Sequence, residues 1–334
     1  MISTQSLMQD ALSFLKKVSE NGRIITKDFG SLEDSLPYSV AITIQYEGNF
    51  LTGYGTASTK DQASFCAVME LLERVGLISS KAKNFRSGPF PLTKCFGVDH
   101  LKDFYPEAKN WINGTSNGIA IHTNKSKAKE NALSELIERH TILKALALES
   151  LPTKFLEKAK ILDGHSIPHE IEYNFFYWKG PLDYYISLLR IQKGGKKAYS
   201  FGSSLDLSES LKKAFRESIP KIHFLLDPRA SKKISFTLNK QLKYHWSTAT
   251  PWTDSLLLKA SNRVLPIDAD FKKCDIWFGS IDHDYGKALS GRLHLIQAVS
   301  PKTQPLFKGP WRKDVLNPFA IQCDQLPTEL HMIG

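Results

Sequence analysis

Five glutamates in this chain recur at a spacing that lets them act together. Glu70 and Glu73 close the segment Ala63…Ala67-x-x-Glu70-Leu71-Leu72-Glu73-Arg74, and Glu135 and Glu138 close Ala128…Ala132-x-x-Glu135-Leu136-Ile137-Glu138-Arg139. Glu217 ends a third copy, Ser210…Ala214-x-x-Glu217, which lacks the second carboxylate and its arginine. On a helix, positions i, i+3, i+4 and i+7 share one face, so each carboxylate shares a stripe with small side chains that another backbone or a ligand can approach. Carboxylates a few ångströms apart cannot all stay ionised without compensation. A hard divalent cation supplies it, and Mg²⁺ is normally held by carboxylates together with substrate phosphates. If the three helices converge, Glu70, Glu73, Glu135, Glu138 and Glu217 predict a Mg-nucleotide site beside the Ser116-Asn117-Gly118 turn, with Arg74 and Arg139 as phosphate ligands.

The elements that must position these residues are legible around each copy. A glycine, at Gly55, Gly118 and Gly202, precedes the first glutamate by 15, 17 and 15 residues. Alternation over Val40–Ile44 and Phe50–Gly55 predicts two strands about Glu47-Gly48-Asn49, and Ser58 or Thr59 caps a helix running to about Leu77. Ile119–Ile121 reads as a strand, after which Asn124 or Ser126 caps a helix to about Leu148. Tyr184–Ile191 and Lys197–Phe201 pair across Lys193-Gly194-Gly195. Asp206 or Ser208 caps the third helix, which Pro220 stops or kinks. Trp277-Phe278 and Leu293–Val299 are late strands, and Pro228–Pro251 is a basic surface excursion. Hairpins and irregular alternation predict an α+β fold of mixed or antiparallel sheets with packed helices and internal pseudo-repeats. No linker divides the chain, which predicts one domain over 1–334, with a lead-in over 1–45, a core over 46–310 and a tail over 311–334.

A single E-x-x-E-R on a helix is ordinarily a solvated face held by an i, i+4 ion pair. Here the opposite face of the first helix (Phe65, Val68, Leu72, Val75) is core-like, so both faces are occupied. The same holds for the second helix, with Leu133, Leu136 and Ile137. Other chemistries lack their signatures: there is no Walker A sequence, no third glycine after Gly53-Tyr54-Gly55, no G-x-S-x-G elbow and no zinc spacing. Cys66 reads as a small packing residue and His140 as a partly buried polar one. The Asp282-His283-Asp284 run reads as a solvated turn, and Tyr244-His245-Trp246 either binds a peptide or packs.

Composition sets the outer limits. The 334 residues are 42% hydrophobic, enough for a sizeable core, and no apolar run approaches membrane-spanning length. Four dispersed cysteines and the absence of a signal-like amino terminus predict a reduced, cytoplasmic protein. The net charge of +10 is scattered and carries no nucleic-acid motif, which favours an acidic peptide, partner or nucleotide over RNA.

With those residues in view, the chain resembles the YcaO family. Ser116-Asn117-Gly118 followed by Glu135-Leu-Ile-Glu138-Arg139 is similar to that family's central signature. Glu70-x-x-Glu73-Arg74 is similar to its first motif, and Phe201-Gly202…Ala214-Phe-Arg-Glu217 to its third. Leu293–Val299-Ser300-Pro301 is similar to its late strand, so the likeness runs from about Gly53 to Pro310. The resemblance implies ATP- and Mg²⁺-dependent activation of a peptide backbone amide: a nucleophile attacks the amide carbon, ATP phosphorylates the oxygen, and phosphate leaves to give an azoline, thioamide or amidine. It implies that the five glutamates hold Mg²⁺ and that Arg74, Ser116, Asn117, Gly118 and Arg139 contact the nucleotide. It also implies a peptide or protein substrate, and since no E1-like or leader-binding domain is visible in these 334 residues, a separate partner of E1-like, leader-binding or TfuA-like kind is expected. The sequence departs from the pattern in several places. In the first motif Tyr54 or Thr56 stands where lysine is common and Cys66 where serine is common; Pro220 stands where glutamine is common, and the carboxyl terminus preserves little of the proline-rich tail of azoline-forming members. The altered first motif and the tail support a competing reading, a catalytically silent subunit that binds nucleotide or peptide and scaffolds a modification complex.

Overall fold

The computed structural model describes residues 4–30, 36–79, 83–87, 95–97, 118–157, 159–162, 164–226, 250–260, 276–281 and 289–300, together with Ile267, Phe271, Tyr285, Lys302 and Thr303. In chain order the elements are α1 (Thr4–Val18), β1 (Ile25–Gly30), β2 (Tyr38–Tyr46), β3 (Asn49–Ala57), α2 (Lys60–Ser79), β4 (Lys83–Ser87), β5 (Cys95–Gly97) and β6 (Ile119–His122). Then come α3 (Lys125–Ala147), β7 (Thr153–Phe155), α4 (Ala159–Leu162), β8 (Glu172–Lys179), β9 (Tyr185–Lys193), β10 (Lys196–Ser204), α5 (Leu207–Leu226), α6 (Thr250–Leu258), β11 (Trp277–Ile281) and β12 (His294–Val299). The strands form three sheets, ordered β1-β2-β3, β10-β9-β8-β7 and β5-β4-β11-β12-β6. Every pairing is antiparallel. The α+β class predicted from the hairpins holds, and among the described residues no helix is long and apolar enough to cross a membrane.

The three acidic helices each follow the edge strand of a different sheet: α2 follows β3, α3 follows β6 and α5 follows β10. An edge strand leaves a row of N–H and C=O groups without a ladder partner, and a helix laid along it can cover that row. To do so the two backbones must come close. A Cβ added to Gly55 would meet the Ala63 carbonyl oxygen at 1.9 Å and the Ala67 nitrogen at 2.5 Å. At Gly202 the Ser210 oxygen and Ala214 nitrogen stand at 2.4 and 2.5 Å, and at Gly118 the Leu136 Cβ stands at 3.1 Å. The glycine and the small-residue stripe are thus two halves of one contact. The stripe is filled by the strand backbone rather than left open to a ligand.

Each helix also reaches the next unit. Besides its own strand, α2 contacts β6, α3 contacts β10, and α5 returns to β3, so three strand–helix units close into a ring. The core is continuous with this arrangement. Leu71, Leu72 and Val75 of α2 pack against β2, α1 and β12, while Ile137, Leu143 and Leu146 of α3 pack against β8, β9 and β10. Leu211, Phe215, Ile219 and Ile222 of α5 pack on the other side of β9.

Local signals explain where the helices begin. Thr59 Oγ1 accepts from Gln62 N at 3.3 Å, Asn124 Oδ1 from Ser126 N and Lys127 N at 2.9 and 3.1 Å, and Asp206 Oδ1 from Glu209 N at 2.9 Å. Each is one of the two cap candidates read from the sequence. Replacing Asn124 with alanine leaves two amide donors without that acceptor and is expected to lower unfolding stability by about 1 kcal/mol, measured by urea denaturation. The β9–β10 turn puts Gly194 and Gly195 at φ +53° and +80°, a two-residue turn that needs left-handed backbone at both positions.

Pro220 does not stop its helix, the first of the two outcomes read from the sequence. It forfeits one backbone donor, yet α5 continues to Leu226 because Ile219, Ile222 and Leu225 on its buried face hold the second half in the core. Ser116 and Asn117, the segment 228–249, His283 with its flanking aspartates, and the tail over 311–334 lie outside the described residues.

Candidate functional site

The ring determines where the glutamates go. Glu70 Oε2 accepts the free edge N–H of Tyr54 at 2.7 Å, and Glu135 Oε2 accepts that of Ile119 at 3.1 Å, so in both units the first glutamate reaches back to its own strand. The second glutamate reaches forward. Glu73 Oε2 accepts Ile121 N of the next unit at 3.2 Å, and the Ser203 side chain of the unit after that acts on Glu138 to hold its pKa down. Beside Glu138, Ser134 and Ser203 join hydroxyl to hydroxyl at 2.7 Å, and the Ser203 hydroxyl lies 2.8 Å from the Ser134 carbonyl.

These contacts bring five carboxylates from three helices into mutual electrostatic contact. Glu70 feels Glu217, Glu73 feels Glu135 and Glu70, Glu135 feels Glu138 and Glu70, and Glu138 feels Glu217. Burial, reinforced by the like charges, raises the pKa values of Glu70, Glu73 and Glu138 above the ordinary carboxylate range, and that of Glu135 to about 8. The arginines offset this only partly. Arg74 bonds Glu70 at 2.5 Å, while Arg139 Nε stands 3.9 Å from Glu135 and 4.0 Å from Glu138. Among the described residues the buried Arg139 Nε–H has no hydrogen-bond acceptor. A buried guanidinium donor without an acceptor is costly, and an anionic oxygen would satisfy it.

The third unit carries the opposite sign. Aligned on the first glutamate, Lys221 of α5 falls where Arg74 and Arg139 stand, and Lys213 falls at the position of Cys66 and Asn131. Lys221 Nζ donates to the Tyr199 carbonyl at 2.5 Å and Lys213 Nζ to that of Ser203 at 2.8 Å. Burial lowers the ammonium pKa of both, that of Lys221 to about 8, against the pull of Glu217 and Glu138. The sequence reading took the third copy to have lost its cation. The register of the other two copies, four residues past the first glutamate, points to Lys221.

Two further expectations are corrected. Cys66 is exposed rather than a packing residue. His140 is fully buried, its ring stacked on Phe271 at 6.1 Å between centroids. Gly118 adopts φ +66° and its carbonyl accepts Ala298 N at 2.7 Å, tying the turn to β12. Among the described residues no group of three or more His, Cys, Asp and Glu side chains is disposed to chelate one ion.

The shifted groups make ligand-free stability depend on pH in a defined way. Glu135 titrates near 8 in the fold and near its ordinary 4.5 unfolded, so between those values the folded state holds the extra proton and stability falls as pH rises. Lys221 titrates near 8 in the fold and near 10.5 unfolded, so above pH 8 its contribution rises with pH. Their sum passes through a minimum close to pH 8. Urea midpoints of wild type are expected to fall relative to those of Glu135→Gln from about pH 5.5 to about pH 8.

The architecture has known counterparts. YcaO from Methanopyrus kandleri, solved with AMPPCP and Mg²⁺ bound, superposes with a TM-score of 0.58 at 12% identity over 91% of this chain and 91% of that one. This chain has a YcaO-like fold. The E. coli microcin synthetase complex McbBCD matches with a TM-score of 0.54 at 13% identity, over 83% of this chain and 88% of that one. A heterocyclase in complex with substrate and cofactor matches with a TM-score of 0.59 at 10% identity over 89% of this chain, which spans about half (52%) of that longer protein. By sequence, no protein-family model and no curated protein matches the chain. The YcaO-like ring is therefore read from structure, and its chemistry from the side chains at its centre.

Proposed function

We propose that the ring's centre binds Mg-ATP and uses it to activate a backbone amide of a peptide substrate. The observation that carries this reading is the convergence on Glu217 of Glu70, Glu73, Glu135 and Glu138, whose pKa values are pushed upward, beside an arginine donor that lacks an acceptor among the described residues. A site that keeps buried carboxylates at such cost fits a divalent cation, and Mg²⁺ needs only one or two of them when phosphates complete its shell. That requirement agrees with the absence of a three-residue chelating cluster among the described residues.

One or two of Glu70, Glu73, Glu135, Glu138 and Glu217 would hold the ion, which when bound neutralises phosphate charge. Arg139 and Arg74 would take phosphate oxygens, with Ser116, Asn117 and Gly118 at the nucleotide. Lys221 and Lys213 would face the same anion from the third helix, where the charge is inverted. An amide oxygen is a poor leaving group, and phosphorylation removes that barrier. The nucleophile gives up its proton and adds to the amide carbon, the oxyanion takes the γ-phosphoryl group from ATP with release of ADP, and phosphate departs with the former amide oxygen as a proton is lost to restore the double bond. These residues act by position and charge, which is the main demand of phosphoryl transfer. The neighbours of like fold, a microcin synthetase complex and a heterocyclase with substrate and cofactor, support peptide modification and a partner protein.

The test is turnover. With Mg²⁺, ATP and the precursor peptide encoded nearest the gene, phosphate release and a peptide mass change are expected together, a loss of about 18 Da for cyclodehydration or a gain of about 16 Da for oxygen-to-sulfur exchange. Tight Mg-ATP binding without either would favour the scaffold reading.

A further inference from the structure

Tyr54 lies between two glycines, and both press on α2. A Cβ added to Gly53 would meet the Ala67 carbonyl oxygen at 2.1 Å and the Leu71 nitrogen at 2.6 Å, and one added to Gly55 would meet the Ala63 carbonyl oxygen at 1.9 Å. Successive side chains of a strand point to opposite faces, so the Tyr54 side chain leaves β3 on the face away from α2. Its own N–H is held by Glu70 Oε2 at 2.7 Å, and Glu70 is bonded in turn by Arg74 at 2.5 Å. The backbone that carries the ring is therefore fixed against helix backbone on one face and by a glutamate of the centre at its edge.

The ring itself is 44% exposed. Among the described residues only two Phe, Tyr or Trp side chains are exposed, Phe50 and Tyr54, and Phe50 stands four residues nearer the β2–β3 turn. The closest positions on the Tyr54 face are small: Thr52 and Thr56 along β3, and Ala41 directly across on β2. They leave an aromatic face uncovered. It is not in bulk water, however: burial raises the phenol pKa above its ordinary 10, with the nearby Arg74 opposing that shift and Glu70 adding to it. A rigidly mounted, partly desolvated ring of this kind takes flat partners, which stack on it.

The neighbouring charges decide which flat partner. Arg74 is a phosphate ligand in the reading above, and the phosphates and base of a nucleotide are joined by a single ribose. A triphosphate held at Arg74 thus brings its base into the neighbourhood of the ring. Every base has a π-face, and stacking on an aromatic side chain adds to affinity whichever base it is.

We propose that Tyr54 is the platform on which the base of the bound nucleotide stacks. It rests on the reading above that the centre takes a Mg-triphosphate, and it adds the residue that holds the nucleoside end.

Calorimetric titration with Mg-ATP and with Mg-tripolyphosphate, which carries a phosphate chain without a nucleoside, separates the two ends. Tyr54→Ala and Tyr54→Leu are each expected to lose at least fivefold in Mg-ATP affinity while Mg-tripolyphosphate affinity stays at the wild-type value. Tyr54→Phe is expected to keep both. The bond to Glu70 comes from the backbone N–H, so it survives in all three variants. Equal losses for the two ligands would mean that Tyr54 acts through Glu70 or the fold. Undiminished Mg-ATP affinity in Tyr54→Leu would mean that the base does not touch the ring. Either result overturns the platform and leaves the metal–phosphate centre standing. Binding of neither ligand by the wild-type protein overturns the centre itself, and the platform with it.

Discussion

In Glu135→Gln protein, Mg-ATP affinity is expected to fall by about a hundredfold, or ~2.7 kcal/mol, while the ligand-free protein becomes harder to unfold at pH 8. The two effects have opposite signs because the same charge is a liability in one state and a ligand in the other. Without ligand, Glu135 is buried against Glu138 and Glu70 and is ionised near pH 8 only against the resistance of its surroundings. The amide keeps an oxygen to accept Ile119 N, so the strand contact survives and the like charge is removed. With Mg-ATP the charge is what is needed, and the amide cannot supply it. Calorimetric titration with urea unfolding at the same pH reads both. A residue with a purely structural role would lose stability and affinity together.

Gly55→Ala and Gly202→Ala are expected to cost more than about 3 kcal/mol of stability each. A methyl group at Gly55 would lie 1.9 Å from the Ala63 carbonyl oxygen, and one at Gly202 would lie 2.4 Å from that of Ser210. Both obstacles are helix backbone, which cannot rotate aside as a side chain can, so the helix must lift from its strand. Lifting α2 from β3 also withdraws Glu70 from Tyr54 N and α2 from the centre. At Gly22 nothing lies within 4 Å, and alanine there meets only the cost of φ +59°, about 1 kcal/mol. Urea denaturation of the three variants separates close approach from backbone strain.

The sequence made the repeating unit readable because everything inside it is local. The glycine, the cap, the small-residue stripe and the glutamate lie within twenty residues, and helix periodicity connects them. Thr59, Asn124 and Asp206 cap as their residue types suggest. The way the units join is set by long-range contacts that no local period records: Glu73 meets Ile121 N across 48 residues, and Ser134 meets Ser203 across 69. The ring was therefore hidden. Lys221 was missed for another reason, since a lysine four residues after a glutamate is an ordinary helix pair until the register of the other two copies is laid over it. The sequence left Pro220 either to stop or to kink its helix, and the burial of Ile219 and Ile222 outweighs one lost hydrogen bond and decides against the stop.

The central claim is that the carboxylates of the ring form a Mg-nucleotide centre. Its most direct measurement is the heat of ATP binding to the purified chain with Mg²⁺ present and again with EDTA, in wild type and in Glu138→Gln. Saturable binding in wild type with Mg²⁺, abolished by EDTA and weakened at least tenfold by Glu138→Gln, is the predicted result. Binding of equal strength with and without the metal, or undiminished in the folded variant, would contradict it and return the glutamates to a role in holding strands to helices.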